Sequence, residues 1–231
     1  MNLRKLKKNT FKVSEIGLGL SQFSQTINKK KYGYKTEAEV LSNIRYAIKN
    51  GINFFDTSDG YGDTEKILGK LDKKIKDKIV ISTKAGRKKN GNRCFDKKYL
   101  EKQLNTSLKN LRIDAVDIFM LNKPNYRNIE DEELLEFLNK LKKNGKIKLA
   151  GIVIGEKYNF KKIIKEKVID CFSILFNILN VDDYDLIDVI RKKQKGIIIR
   201  SPLNSGILGG KIDSNTKFSL TDERFKYFQG Q

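Results

Sequence analysis

Short runs of almost wholly apolar residues alternate along this chain with stretches that are apolar on one side only. Residues 52–55, 79–83, 115–121, 147–154, 171–175 and 196–199 are the apolar runs, and residues 15–20 form a weaker one ahead of them. They predict seven strands. Between them, apolar positions keep helical spacing. Ala38, Leu41, Ile44, Ala47 and Ile48 do so within residues 36–50, and Tyr99, Leu100, Leu104, Leu108 and Leu111 do so after Asp96. Further helices are expected over residues 64–75, 130–144, 160–166 and 184–193. Thr36 and Asp96 stand where a helix start needs an oxygen acceptor, and Gly51 where a helix ends. Acidic residues open the 130–144 helix and lysines close it, as the helix dipole favours. Strands that are apolar throughout are buried on both faces. Alternating them with helices gives a parallel sheet covered by helices. Residues 1–13 read as a short hairpin.

Two strand ends carry chemistry. The segment GINFFDTSDGYG, residues 51–62, is a strand that ends at Asp56 and turns through a polar loop to Tyr61. The segment KIVISTKAG, residues 78–86, is a strand with Lys84 at its C-terminal end. Parallel α/β folds gather their functional groups at that end of the sheet, so the three residues are expected to converge.

Composition narrows the classes. A length of 231 residues suits one domain. It is short for a complete eight-stranded α/β barrel, which takes about 250. The net charge of +20 favours anionic ligands, yet the lysines are spread over helix faces and ends, as in residues 70–78 and 140–148. No basic motif with interleaved aromatics appears, so no nucleic-acid partner is expected. The absence of histidine excludes histidine catalysis and histidine metal sites. Cys94 and Cys171 form no disulfide or metal spacing, and no metal site is expected. Cys171 reads as a small core residue. Residues 1–12 are basic without an apolar centre, so no signal peptide is expected, and no run approaches a membrane span. These features together suggest a cytoplasmic protein.

The ordered segments VSEIGLGL, NFFDTSDGYG, EKILGKLDKK, IVISTKAG, SLKNLRIDAVDIFML, LNKLKKNGKIKLAGIVI and SPLNSGILGGK resemble the aldo-keto reductases from about Leu3 to Lys211. The resemblance implies a (β/α)8 TIM barrel whose hairpin plugs the bottom. It implies reduction of an aldehyde or ketone, such as a sugar-derived carbonyl, with NADP(H) or NAD(H). It places Asp56, Tyr61 and Lys84 on three members of the catalytic tetrad and Asn122 on the fourth, usually histidine. A phenol has an ordinary pKa near 10, and a buried lysine beside it favours the phenolate. An aspartate paired with that lysine keeps it charged and in place. Asn122 can donate an amide hydrogen bond to a carbonyl but cannot titrate. The potassium-channel β subunits, slow reductases that act largely as binding or sensing modules, share that asparagine.

By the same resemblance Asp56, Ser173, Ser201, Leu203, Gly206 and Gly210 contact the cofactor, the last four in a diphosphate loop whose glycines admit close backbone approach. Strand five ends in Gly151, Ile152, Val153 and Ile154, where relatives carry Ser and Asn. Arg200 replaces an aromatic that stacks on the nicotinamide. These changes weaken cofactor binding, and the second reading is a catalytically impaired barrel that binds a ligand or a protein. About twenty residues follow Lys211, too few for an eighth strand and the C-terminal helices. Strands one and seven are then expected to leave open edges through which the chain self-associates.

Overall fold

The computed structural model describes residues 1–8, 10–24, 36–88, 90–155, 163–218 and 224–225. Strands β1 (Leu3–Lys5) and β2 (Lys12–Ser14) pair antiparallel as the expected hairpin. Seven further strands form one parallel sheet in chain order: β3 (Leu18–Gly19), β4 (Phe54–Asp56), β5 (Val80–Ala85), β6 (Val116–Asn122), β7 (Ile147–Val153), β8 (Ile169–Leu175) and β9 (Gly196–Arg200). Helices α1 (Glu37–Lys49), α2 (Thr64–Gly69), α3 (Lys73–Lys76), α4 (Lys97–Leu111), α5 (Tyr126–Ile129), α6 (Glu132–Lys143) and α7 (Tyr184–Lys192) lie between the strands. No strand follows β9 among the described residues. The sheet is a curled, incomplete barrel, as the strand count from sequence predicts.

Strand side chains alternate between two faces, and here the two faces have separate cores. The outer one joins the sheet to the helices through residues such as Phe55, Ile81, Phe119, Ile152 and Phe172, packed against Ile44, Leu68, Leu104, Leu138 and Ile190. The inner one holds Phe54, Val80, Ile118, Met120, Leu149, Val153 and Cys171. Val13, Leu6 and Phe11 of the hairpin pack against it, which closes the barrel bottom. Gly151 is required there: a Cβ on it would meet Cys171 Sγ at 2.7 Å.

Counting in twos along the inner face fixes what reaches the upper rim. Phe54 leads to Asp56, Val80 to Ser82 and Lys84, Ile118 and Met120 to Asn122, Leu149 and Gly151 to Val153, Cys171 to Ser173, and Ile198 to Arg200. β4, β5, β6 and β9 thus end on this face in Asp56, Lys84, Asn122 and Arg200, whereas β7 ends in Val153 and β8 continues past Ser173 to Leu175.

Several boundaries differ from the sequence reading. The first barrel strand, expected over residues 15–20, shrinks to two residues, because Ile16 turns outward and Gly17 lies flat on the Phe54 ring. The expected 64–75 helix breaks into α2 and α3. Gly69 packs against the backbone of Asn110, Leu71 turns into the core, and Asp72 starts a new turn. The 130–144 helix starts later, because the Asp131 carboxylate accepts from the amides of Glu133 and Leu134. The 160–166 helix lies partly outside the described residues, and Ile163–Lys165 form a 3₁₀ turn.

Candidate active site

The C-terminal rim is built around one buried lysine. Lys84 is 6% exposed. Its ammonium donates to Asp56 Oδ2 at 2.6 Å and to the Thr57 carbonyl at 2.7 Å. The Tyr61 ring centre lies 5.0 Å from the same nitrogen. Burial acts to lower the Lys84 pKa; the Asp56 carboxylate and Tyr61 oppose it and prevail, so the group lies above its usual 10.5 and is charged at neutral pH.

The turn carrying Tyr61 is fixed by the same lysine's main chain. The Asp59 amide donates to the Lys84 carbonyl at 3.1 Å, and the Ser58 hydroxyl reaches it at 3.2 Å. The Tyr61 amide then closes on the Ser58 carbonyl at 3.0 Å. Behind the turn, the buried hydroxyls of Thr57 and Thr64 meet at 2.8 Å and tie it to the first turn of α2. Asp56, Lys84 and Tyr61 thus form one contact group, with backbone bonds that set their spacing.

Asn122 ends β6 on the same rim, paired in register with Val153. Its main-chain carbonyl accepts from Arg93 Nη1 at 2.9 Å. No side-chain bond joins Asn122 to Lys84 or Tyr61 among the described residues, so the fourth position is adjacent rather than linked. Ser173 is buried on β8, beside Val153 and Ile198 in the ladders.

The loop after β9 is a series of tight turns. Ser201, Asn204, Ser205, Gly206 and Gly210 all have positive φ. Three of its amides are used within the loop: Asn204 N–H donates to the Ser201 carbonyl at 3.0 Å, and the Gly206 and Leu208 N–H groups donate to the Leu203 carbonyl at 2.9 and 3.2 Å. A Cβ on Gly209 or Gly210 would meet nothing within 4 Å, so that side of the loop is open to a ligand. Asn177 Nδ2 donates to the Ser201 carbonyl at 3.0 Å and anchors the loop to β8. The open, glycine-bearing side of the loop admits close approach of a ligand to its backbone. The β7 end offers that ligand only Val153 and Ile154, both buried and apolar.

Four residues here escaped the sequence reading. Thr57, Arg93 and Asn177 act through hydrogen bonds that no spacing announces. Asp59 was legible within DTSDGYG but passes there for an ordinary turn residue. Its carboxyl is largely buried, and burial pushes it up to about 6 from 3.8, with the Ser58 hydrogen bond and Lys84 offsetting only part. Its Oδ2 has no hydrogen-bond partner.

Among the described residues no cluster of His, Cys, Asp or Glu could hold a metal, and no helix is long and apolar enough to cross a membrane. Both cysteines are free thiols, and Cys171 sits in the inner core.

The model of the aldo/keto reductase family matches residues 15–227. L-galactose dehydrogenase of Arabidopsis thaliana is 30% identical over 220 residues, which are 90% of this chain and 67% of that protein. The uncharacterized oxidoreductase YqkF of Bacillus subtilis is 28% identical over 217 residues, again 90% of this chain and 67% of that protein. The chain therefore spans about two thirds of the length of these relatives. Among solved structures, an aldo-keto reductase of Bacillus halodurans in its holo form matches with a TM-score of 0.81 at 24% identity, over 95% of this chain and 72% of that one. The sequence match over nearly the whole chain and the barrel strand order agree: this chain belongs to the aldo/keto reductase family.

Proposed function

We propose that this chain is an oxidoreductase that reduces an aldehyde or ketone to the alcohol with NADPH, with Tyr61 as proton donor. The observation that carries this reading is the buried Lys84–Asp56 ion pair set against Tyr61 at the sheet's C-terminal end. The nicotinamide cofactor, when bound, supplies the hydride. Ser201, Leu203, Gly206 and Gly210 are the residues that would hold its diphosphate, with Asp56 and Ser173 nearer the barrel axis.

The chain's own part is proton transfer and positioning. As charge gathers on the carbonyl oxygen, Tyr61 releases its hydroxyl proton to it. The Lys84 cation stabilises the negative charge left on the phenol oxygen. Asp56 neutralises the lysine's excess charge and fixes its direction. The Asn122 amide donates a hydrogen bond to the same carbonyl oxygen. Its place is held by the Arg93 bond to its main chain. Solvent returns the proton to Tyr61. A sugar-derived carbonyl is a reasonable substrate class, since one relative is an L-galactose dehydrogenase. Two free thiols suit a reducing compartment, the cytoplasm.

The apolar β7 end favours a second reading, a barrel that binds a ligand or protein without turnover. Several missing polar contacts at about 1 kcal/mol each would weaken cofactor binding by orders of magnitude. One experiment separates the two: fluorescence titration of the chain with NADPH and NADH, followed by reduced-cofactor consumption with a panel of aldehydes. Saturable binding with turnover supports the reductase. Neither cofactor binding at millimolar concentration would sink it.

A further inference from the structure

Arg200 ends β9 on the inner face, two residues beyond Ile198, which packs against the barrel's inner core. The register therefore turns its side chain toward the space enclosed by Asp56, Lys84 and Asn122. Nη2 donates to the Ile154 carbonyl at 3.1 Å, which ties the end of β9 to the residue after β7. Nε is buried and has no hydrogen-bond partner. No carboxylate lies within ion-pair distance of the guanidinium among the described residues. Burial disfavours its charge, and only Tyr61 and Asp183, acting through space, oppose this.

A guanidinium cannot shed its proton at neutral pH, so a half-buried one with an unused donor has an unmet need for an anion. The rim does not meet that need. Asp56 is already bound by Lys84, and Arg93 reaches the same rim at the Asn122 carbonyl. Even with Asp59 counted beside Asp56, the cations Lys84, Arg93 and Arg200 outnumber the carboxyls here, and both Lys84 and Arg200 interact with Tyr61.

We propose that Arg200 anchors an anionic substrate: an aldehyde or ketone that bears a carboxylate or phosphate group. This rests on the reductase reading and names the substrate class of that same site. The planar fork of arginine matches both groups, and its one bond, to Ile154, leaves the other Nη hydrogens for the ligand. Binding the anion there directs the carbonyl toward Tyr61.

The test compares matched substrates with the full chain and saturating NADPH: succinic semialdehyde against butanal, and glyceraldehyde 3-phosphate against glyceraldehyde. The anionic member of at least one pair should have a kcat/KM roughly 10- to 100-fold higher, the gain expected of a charge-assisted hydrogen bond. Arg200→Met should collapse that ratio, chiefly through KM of the anionic substrate, and Arg200→Lys should keep part of it. Equal kcat/KM within both wild-type pairs would overturn the proposal without recourse to any variant. So would an Arg200→Met chain that keeps the ratio but binds NADPH more weakly, since the guanidinium then serves the cofactor. If no substrate turns over, the reductase reading fails separately. The anion site is then read by calorimetric titration with 4-hydroxybutyrate and 1-butanol. Selective binding of 4-hydroxybutyrate that Arg200→Met abolishes sustains it, and equal or absent binding overturns it.

Discussion

Lys84 Nζ reaches Asp56 Oδ2 at 2.6 Å although the strand ladder pairs Asp56 with Ser82, two residues earlier. The lysine stem therefore leans back along β5 toward β4. Its ammonium is held by the Asp56 carboxylate and the Thr57 carbonyl together. Lys84→Met should lower kcat by roughly 10²- to 10⁴-fold, the range for loss of an acid–base function. It should also leave Asp56 without its counterion. The stability that the pair contributes has a definite sign with pH. The folded-state pKa of Lys84 is raised, so the contribution is complete below the ordinary 10.5 and lost only as pH climbs through the higher folded value. Thermal melts of wild type and Lys84→Met should therefore differ most between neutral pH and 10 and converge above.

Tyr61→Phe isolates proton donation. The turn that carries residue 61 is fixed by main-chain bonds to Ser58 and Lys84, which the substitution leaves alone. Turnover should drop by about 10²- to 10⁴-fold while the melting temperature and NADPH affinity hold. A variant with near wild-type kcat would remove Tyr61 from the mechanism.

Asp59 gives a pH dependence of the same sign in a much lower window, because here burial favours the neutral form. Its folded pKa is raised to about 6, so the native state binds more protons than the unfolded chain between about pH 4 and 6. Stability should fall as pH rises through that window and stay lower above it, by roughly 2–3 kcal/mol if the whole shift is expressed. Asp59→Asn should be more stable than wild type at pH 7.5 and lose that advantage at pH 4. Urea unfolding at the two pH values measures both.

The outer architecture was readable because the strands that the helices cover are apolar on both faces. Asp56 and Lys84 at the C-terminal ends of two apolar strands, with the family resemblance, pointed to their pairing. What was hidden depends on contacts distant in sequence. Nothing in residues 64–75 announces that Gly69 meets Asn110, 41 positions on, and breaks the helix. The Arg93–Asn122 and Asn177–Ser201 bonds join a side chain to a main-chain oxygen, which leaves no pattern in residue types. Arg200 could be placed at the strand end from sequence. The unused donor at its Nε could not, because that follows from what Ile154 and its surroundings fail to supply.

Open edges should show in solution. Among the described residues nothing pairs with the outer edges of β3 and β9. Ile178, Leu179, Val181, Tyr184 and Ile199 are exposed beside β9. Such an edge templates pairing with a second chain. This 231-residue chain should shift to larger species as its concentration rises, measured by size exclusion with light scattering. A monomer at all concentrations with a cooperative high-temperature melt would show that the edges are covered.

Gly69→Ala sets helix propensity against packing. On propensity alone, alanine near the end of α2 should stabilise by up to about 1 kcal/mol. A Cβ at this position, however, would stand 2.1 Å from the Asn110 carbonyl oxygen and 3.1 Å from the Leu111 carbonyl carbon. Both are backbone atoms at the end of α4, so no rotamer change can relieve the clash. The helices must separate, which would strain the Glu65 bond to Asn110 and the bonds of Lys76 to Gly69, Leu111 and Arg112. Overpacking of this kind costs about 1–3 kcal/mol, and displaced backbone falls at the upper end, so packing should win. Net destabilisation of about 1–2 kcal/mol corresponds to a melting temperature lower by roughly 2–8 °C for a domain of this size. Gly19→Ala, where a Cβ would meet nothing within 4 Å, is the control and should shift stability by no more than about 0.5 kcal/mol. A Gly69→Ala variant as stable as that control would mean that α2 and α4 do not pack this closely in solution.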